Sequence, residues 1–211
     1  MTKEEVLGQV EKTKIVPVVK LDRPEDAKPL CEALCAGGLP AAEITFRTAA
    51  AEEAIRIASE AFPEMLIGAG TVTNTDQAER ALNAGAKFLV SPGFSAAVTK
   101  FAVEHEIMIF PGICTPTELM AAMEFNLPVV KFFPAEQYGG VKTIKALGAP
   151  FPAMRFMPTG GINASNIMDY LSLKQVVACG GSWMVKGDMI SNGDFETICR
   201  LTKEAVQLIG N

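Results

Sequence analysis

The chain reads as an α/β protein: a (β/α)8 TIM barrel in one domain spanning residues 1–211, with an extra helix at the amino end. Three observations lead there. A strand-then-helix unit recurs about every 20 to 26 residues, the pattern of a parallel sheet with helical crossovers. Eight such units fit into 211 residues, which favours a closed barrel with short loops and no inserted domain. No GxGxxG follows the first strand, which weakens a doubly wound dinucleotide-binding alternative.

The elements follow in order. Residues 3–12 read as a short helix covering the bottom of the barrel. Apolar runs at 14–20, 41–46, 66–70, 87–91, 108–111, 128–132, 155–158 and 175–179 are the candidate strands. Helical patterns lie between them, for example at 24–36, 49–61, 76–84 and 96–104. Thr48, Thr75, Thr115 and Asn163 stand where helix N-caps are expected, and Gly37 and Gly85 where helices should end. In such an architecture chemistry belongs at the carboxyl ends of the strands. The polar residues fall there: Lys20 after the first strand, Glu43, Thr45 and Arg47 off the second, and Thr71 after the third. Ser91 ends the fourth, Lys131 the sixth and Thr159 the seventh, and Ser182 follows the eighth.

Composition narrows the classes. Apolar residues make up 49%, which supports a large core, and the net charge of -5 with no basic stripe argues against a nucleic-acid partner. No apolar run has the length of a bilayer span, and the amino end lacks the apolar core of a secretory signal, so a soluble cytoplasmic protein is expected. The five cysteines, at 31, 35, 114, 179 and 199, lack metal-ligand spacing and read as packing thiols. His105 is the only histidine and looks like helix-end polarity, so no triad and no metal site is expected.

Lys131 carries the most chemistry. It sits in Leu127-Pro128-Val129-Val130-Lys131-Phe132-Phe133-Pro134, which reads as a fully buried strand. A lysine there must find a counter-charge, release its proton or react, and a desolvated neutral amine is suited to attacking a carbonyl. Period two puts Glu43, Thr45 and Arg47 on one strand face, and Val129, Lys131 and Phe133 on another. A carboxylate and an amine in one barrel mouth can serve as base and nucleophile; the structural alternative is a buried ion pair that only fixes packing. Glu43 favours the ammonium, whereas desolvation and Arg47 favour the amine.

Phosphate is the second signal. Pro158-Thr159-Gly160-Gly161 follows the seventh strand and Gly180-Gly181-Ser182-Trp183 the eighth. Paired glycines let backbone N–H groups converge on an anion, and these two loops form the usual phosphate site of the architecture. Gly68-Ala69-Gly70-Thr71 is too short for a P-loop, and Pro92-Gly93 and Pro111-Gly112 read as turns. Lys20 is a rival nucleophile, but Asp22 beside it suggests a solvated charge.

The chain resembles the 2-keto-3-deoxy-6-phosphogluconate / 4-hydroxy-2-oxoglutarate aldolases of class I (KDPG and KHG aldolases). The resemblance runs through Glu43-Ile44-Thr45-Phe46-Arg47-Thr48, Gly68-Ala69-Gly70-Thr71-Val72, Ser91-Pro92-Gly93, Pro111-Gly112, Lys131-Phe132-Phe133-Pro134-Ala135-Glu136, Pro158-Thr159-Gly160-Gly161 and Gly180-Gly181-Ser182-Trp183. It implies a homotrimeric barrel without metal or cofactor that acts on a phosphorylated 2-oxo sugar acid and releases pyruvate. Lys131 is then the Schiff-base lysine and Glu43 the general acid/base. Arg47 and Thr71 hold the pyruvyl carboxylate, Phe133 packs against the imine and Pro92 lines the pocket. Gly160, Gly161, Gly181 and Ser182 hold phosphate, and Thr159 matches the hydroxyl of the gluconate-specific branch. Phe46, where leucine is expected, and Cys114, where a small hydroxyl residue is common, depart from the pattern. Two rivals are an imine-free phosphosugar isomerase or decarboxylase, and a binding module on a dead barrel. The joint presence of Glu43, Arg47 and Lys131 speaks against the second.

Overall fold

The computed structural model describes residues 1–210. In chain order the elements are α1 (Lys3–Thr13), β1 (Ile15–Val19), α2 (Ala27–Ala36), β2 (Ala41–Thr45), α3 (Ala51–Ala61), β3 (Leu66–Gly70), α4 (Thr75–Asn83), β4 (Phe88–Val90), α5 (Ala96–Glu104), β5 (Met108–Phe110), β6 (Gly112–Ile113), α6 (Pro116–Met123), β7 (Val129–Phe132), α7 (Gly140–Gly148), β8 (Arg155–Pro158), α8 (Ile167–Leu171), β9 (Cys179–Gly181), α9 (Gly187–Ser191) and α10 (Phe195–Leu208).

Strands β5-β4-β3-β2-β1-β9 form a six-stranded sheet and β6-β7-β8 a three-stranded one. Every pairing is parallel. The expected closed eight-stranded barrel is therefore corrected: no single ladder joins the strands. One break is at Pro111, which has no N–H to donate. It splits the expected fifth strand, so that Met108–Phe110 pairs with β4 while Gly112–Ile113 pairs with β7. At the other edge β8 and the segment leading into β9 touch only through isolated bridges, Phe156 to Val176 and Thr159 to Gly180. The strand expected at 175–179 forms at Cys179–Gly181 instead. Residues 175–177 keep only a local bridge to β8, in which the Phe156 N–H donates to the Gln175 carbonyl and the Val177 N–H to the Phe156 carbonyl. The Gln175 side chain ties the preceding loop. Its Nε2 donates to the carbonyls of Gly148, Phe151 and Met154.

Alternation sorts the strands into two apolar layers. Ile15, Val19, Ile44, Ile67, Leu89, Val130 and Phe156 pack against the helices. Val16, Ala41, Leu66, Phe88, Val90, Phe110, Val129 and Met157 form an inner cluster, which Val6 and Val10 of α1 join. The amino-terminal helix is thus present and covers the inner apolar layer. Thr2 starts it with a capping box: its side chain accepts from the Glu5 N–H and the Glu5 carboxylate accepts from the Thr2 N–H. Thr115 caps α6 with Glu118 in the same way. Thr48 and Thr75 are not caps. The Thr48 hydroxyl donates to the Leu21 carbonyl, and Asn74 caps α4. Asn163 accepts from Ser165 in the turn before α8.

Candidate active site

On β2 and β7 the inner layer stops being apolar one step before the carboxyl edge. Glu43 lies level with Val18 and Gly68, and Lys131 level with Gly112 and Met157. The two residues come from different sheets and meet across the interior, Lys131 Nζ lying 3.6 Å from Glu43 Oε1. Their side chains are 6% and 1% exposed. Neither Glu43 oxygen has a hydrogen-bond partner among the described residues. A buried ion pair kept for stability needs its remaining polar atoms satisfied, and this one leaves them open. An acid and an amine held close in a dry pocket, with lone pairs to spare, suit proton transfer to a third molecule.

The surroundings hold this pair in place. Gly70 makes room for the acid: a Cβ there would stand 2.2 Å from Glu43 Oε1. Lys131 Nζ stands 4.9 Å from the centre of the Phe133 ring, and the Lys131 N–H donates to the Pro111 carbonyl. The Phe133–Pro134 peptide is cis. Thr45, buried, donates its hydroxyl to the Val19 carbonyl at 2.7 Å and accepts from Arg47 Nε at 3.0 Å, aiming an otherwise exposed guanidinium along the rim. Thr71 leaves β3 with φ 57°, a left-handed conformation that costs a β-branched residue roughly 1–3 kcal/mol. Such strain concentrates at functional sites.

Beside the pair lies a recess of about 150 Å³ lined by Val18, Arg47, Phe133, Thr159 and the Gly160-Gly161 and Gly180-Gly181-Ser182 segments. The N–H groups of Gly161 and Ser182 have no acceptor among the described residues, while Gly160 adjoins the bridge between Thr159 and Gly180. Gly160 and Gly161 both have positive φ, 102° and 77°, which turns successive N–H groups to one side. The amide groups of Asn163 and Asn166 donate to the Gly161 carbonyl, which fixes the turn. Two free donors in a positive-φ turn, with Arg47 beside them, suit an anion. Larger recesses of about 450–520 Å³ lie among α1, the strand starts and the helix ends, but none holds a buried acid beside an amine.

A family model for KDPG and KHG aldolase matches residues 6–201. The chain belongs to that family. A 2-dehydro-3-deoxy-phosphogluconate aldolase of Treponema pallidum (strain Nichols) is 46% identical over 97% of this chain and 98% of its own. A KHG/KDPG aldolase of Escherichia coli (strain K12) is 46% identical over 92% and 91%. Among solved structures, a KDPG aldolase of Legionella pneumophila, with pyruvate captured at low pH as a covalent carbinolamine intermediate, superposes with a TM-score of 0.91. It shares 37% identity over 97% of this chain and 98% of that one.

The residues expected to bind in a KDPG and KHG aldolase fall into two groups. Arg47, Phe133, Thr159, Gly160, Gly161, Gly181 and Ser182 converge on the recess next to Glu43 and Lys131. Thr71 and Pro92 stand at the same strand edge without lining it; the Pro92 carbonyl packs so tightly on Gly112 that a Cβ there would come within 2.4 Å. Lys20 is exposed and paired with Asp22 at 2.8 Å. Burial and then the Glu118 charge push the Cys114 thiol up, the opposite of what a nucleophile needs. His105 stacks on Phe101 at the end of α5. Sequence reasoning missed Gly70 as the space for Glu43 and Thr45 as the brace on Arg47. Parallel register was the available signal, since it places Thr45 level with Gly70 and Glu43 one step below.

Proposed function

We propose that this chain is a class I aldolase that cleaves 2-dehydro-3-deoxy-6-phosphogluconate to pyruvate and glyceraldehyde 3-phosphate, and 4-hydroxy-2-oxoglutarate to pyruvate and glyoxylate. The observation that carries this is the buried contact between Lys131 Nζ and Glu43 Oε1. The names of the relatives and the carbinolamine in the Legionella pneumophila structure support it.

In this reading the Lys131 amine adds to the C2 ketone to form a carbinolamine. Glu43, through a water, supplies and removes protons as water leaves and an iminium forms. Glu43 then takes the C4 hydroxyl proton, the C3–C4 bond breaks, and its electron pair moves into the iminium to give an enamine. The aldehyde leaves; C3 takes a proton back, and hydrolysis releases pyruvate and restores the amine. Because the iminium accepts the electrons, no metal or cofactor is required. Arg47, with Thr71, clamps the carboxylate; the planar guanidinium suits that task. Phe133 and Pro92 flank the imine. The free N–H groups of Gly161 and Ser182, with Gly160, Gly181 and Thr159, take the phosphate.

The test is borohydride with pyruvate. Wild type should lose activity and gain a stable pyruvyl adduct at Lys131. Lys131→Ala should neither trap nor cleave, while Glu43→Gln should trap slowly and cleave poorly. Full activity in Lys131→Ala would end the proposal. The reading extends to a single catalytic domain over residues 1–211, working as a homotrimer in the cytoplasm. The outer apolar cluster supports the domain, reaching from Ile15 to Ile209. The trimer rests on the family resemblance and would sediment at three times the chain mass. Among the described residues no helix is long and apolar enough to cross a membrane.

A further inference from the structure

One acid stands beside the anion cradle without belonging to the proton-transfer machinery. Glu136 follows β7, and its N–H donates to the Gly160 carbonyl at 3.1 Å. Its side chain lies along Gly161 so closely that a Cβ on that glycine would meet Glu136 Cβ and Cγ at 2.6 Å. A carboxylate on that stem is a like charge at the edge of a phosphate site, and like charges at such range weaken binding. The structure shows what restrains it. Tyr170, on α8 and 1% exposed, donates its hydroxyl to Glu136 Oε1. Gly140 closes the third side, since a Cβ there would come within 2.8 Å of the Tyr170 oxygen and 3.0 Å of Glu136 Oε1. Burial, and then the hydrogen bond to Glu136, push the Tyr170 hydroxyl upward, so it keeps its proton and remains a donor.

We infer that Tyr170 is a positioning residue for phosphate selectivity: its hydroxyl ties the Glu136 carboxylate back from the Gly160-Gly161 cradle. The inference rests on the reading of that cradle as the phosphate end of the substrate site. It separates two substrates of the proposed reaction, because only the sugar acid carries a phosphate. Tyr170→Phe keeps the ring and frees the carboxylate.

The experiment is steady-state kinetics of Tyr170→Phe on both substrates. KM for the phosphorylated sugar acid should rise roughly fivefold, the effect of one nearby like charge at a wet rim. Its kcat, and both constants for 4-hydroxy-2-oxoglutarate, should stay within about twofold. Adding Glu136→Gln to Tyr170→Phe should return KM to the wild-type value. An unchanged KM, an equal rise on both substrates, or no rescue by Glu136→Gln overturns the inference. Should Tyr170→Phe not fold, Glu136→Ala decides: with the charge gone KM for the phosphorylated substrate should be no higher than wild type, and a higher one is fatal. Borohydride trapping of pyruvate on wild type separates the two levels. Absence of trapping sinks the proposed function, whereas normal trapping with unaltered phosphate selectivity in Tyr170→Phe sinks only this inference.

Discussion

Gly70→Ala tests the site through a residue that has no side chain of its own and whose added Cβ would meet Glu43. An added Cβ would stand 2.2 Å from Glu43 Oε1, 2.6 Å from its Cγ and 2.7 Å from its Cδ. The carboxylate must retreat by roughly 1 Å to regain van der Waals separation. The clash falls mostly on the far end of a flexible side chain, so the loss of stability should be small, near the lower end of the about 1–3 kcal/mol typical of overpacking. The catalytic loss should be much larger, because a displacement of about 1 Å at a reacting group costs about a hundredfold. Gly68→Ala, two residues earlier on β3, is the control. Its Cβ would strike the Phe88 ring at 2.2 Å, and that ring is locked edge-to-face against Phe110 with centroids 5.8 Å apart. Gly68→Ala should therefore lower Tm more and kcat less. Thermal melts and a coupled pyruvate-release assay on both variants give the comparison. Wild-type kcat in Gly70→Ala, or the same ratio of kcat loss to Tm loss in both, would refute the reasoning.

Two further outcomes are expected. Thr45→Val keeps the shape but removes both the donor to the Val19 carbonyl and the acceptor for Arg47 Nε. At about 1 kcal/mol for the bond to Arg47, KM should rise about fivefold with a Tm drop of a few degrees; an unchanged KM would show that Arg47 needs no brace. Burial, followed by Cys35 and Glu32, pushes the Cys31 thiol from its ordinary 9.0 to about 12. Because a raised thiol pKa means the folded chain holds a proton that the unfolded chain gives up, this contribution is complete below pH 9 and declines as pH climbs toward 12. Chemical denaturation across that window should show falling stability, with a shallower fall in Cys31→Ala; equal slopes would refute the assignment.

How much was legible follows from which residues carry local information. The strands at Leu66–Gly70 and Arg155–Pro158 form where their apolar runs lie, because a short run between turn residues is a local signal. Lys131 in an apolar strand and the positive-φ turn at Gly160-Gly161 were also readable, since a charge in an apolar run and paired glycines each stand out locally. Helix starts were less legible: Thr48 has the right chemistry for a cap, but the Leu21 carbonyl on another loop takes its hydroxyl first.

Residue order by itself determined the alternation that puts Glu43 and Lys131 on inner faces, the placement of polar groups at strand ends and the paired glycines. Tertiary structure alone decided that the strands divide into two sheets at Pro111, that Glu43 and Lys131 from different sheets come within 3.6 Å, and that Gly70 leaves room for the Glu43 carboxylate. The physical reason is that ladder closure and cross-sheet contact depend on which donor faces which acceptor among residues far apart in the chain. No periodicity along one strand encodes its neighbour's register.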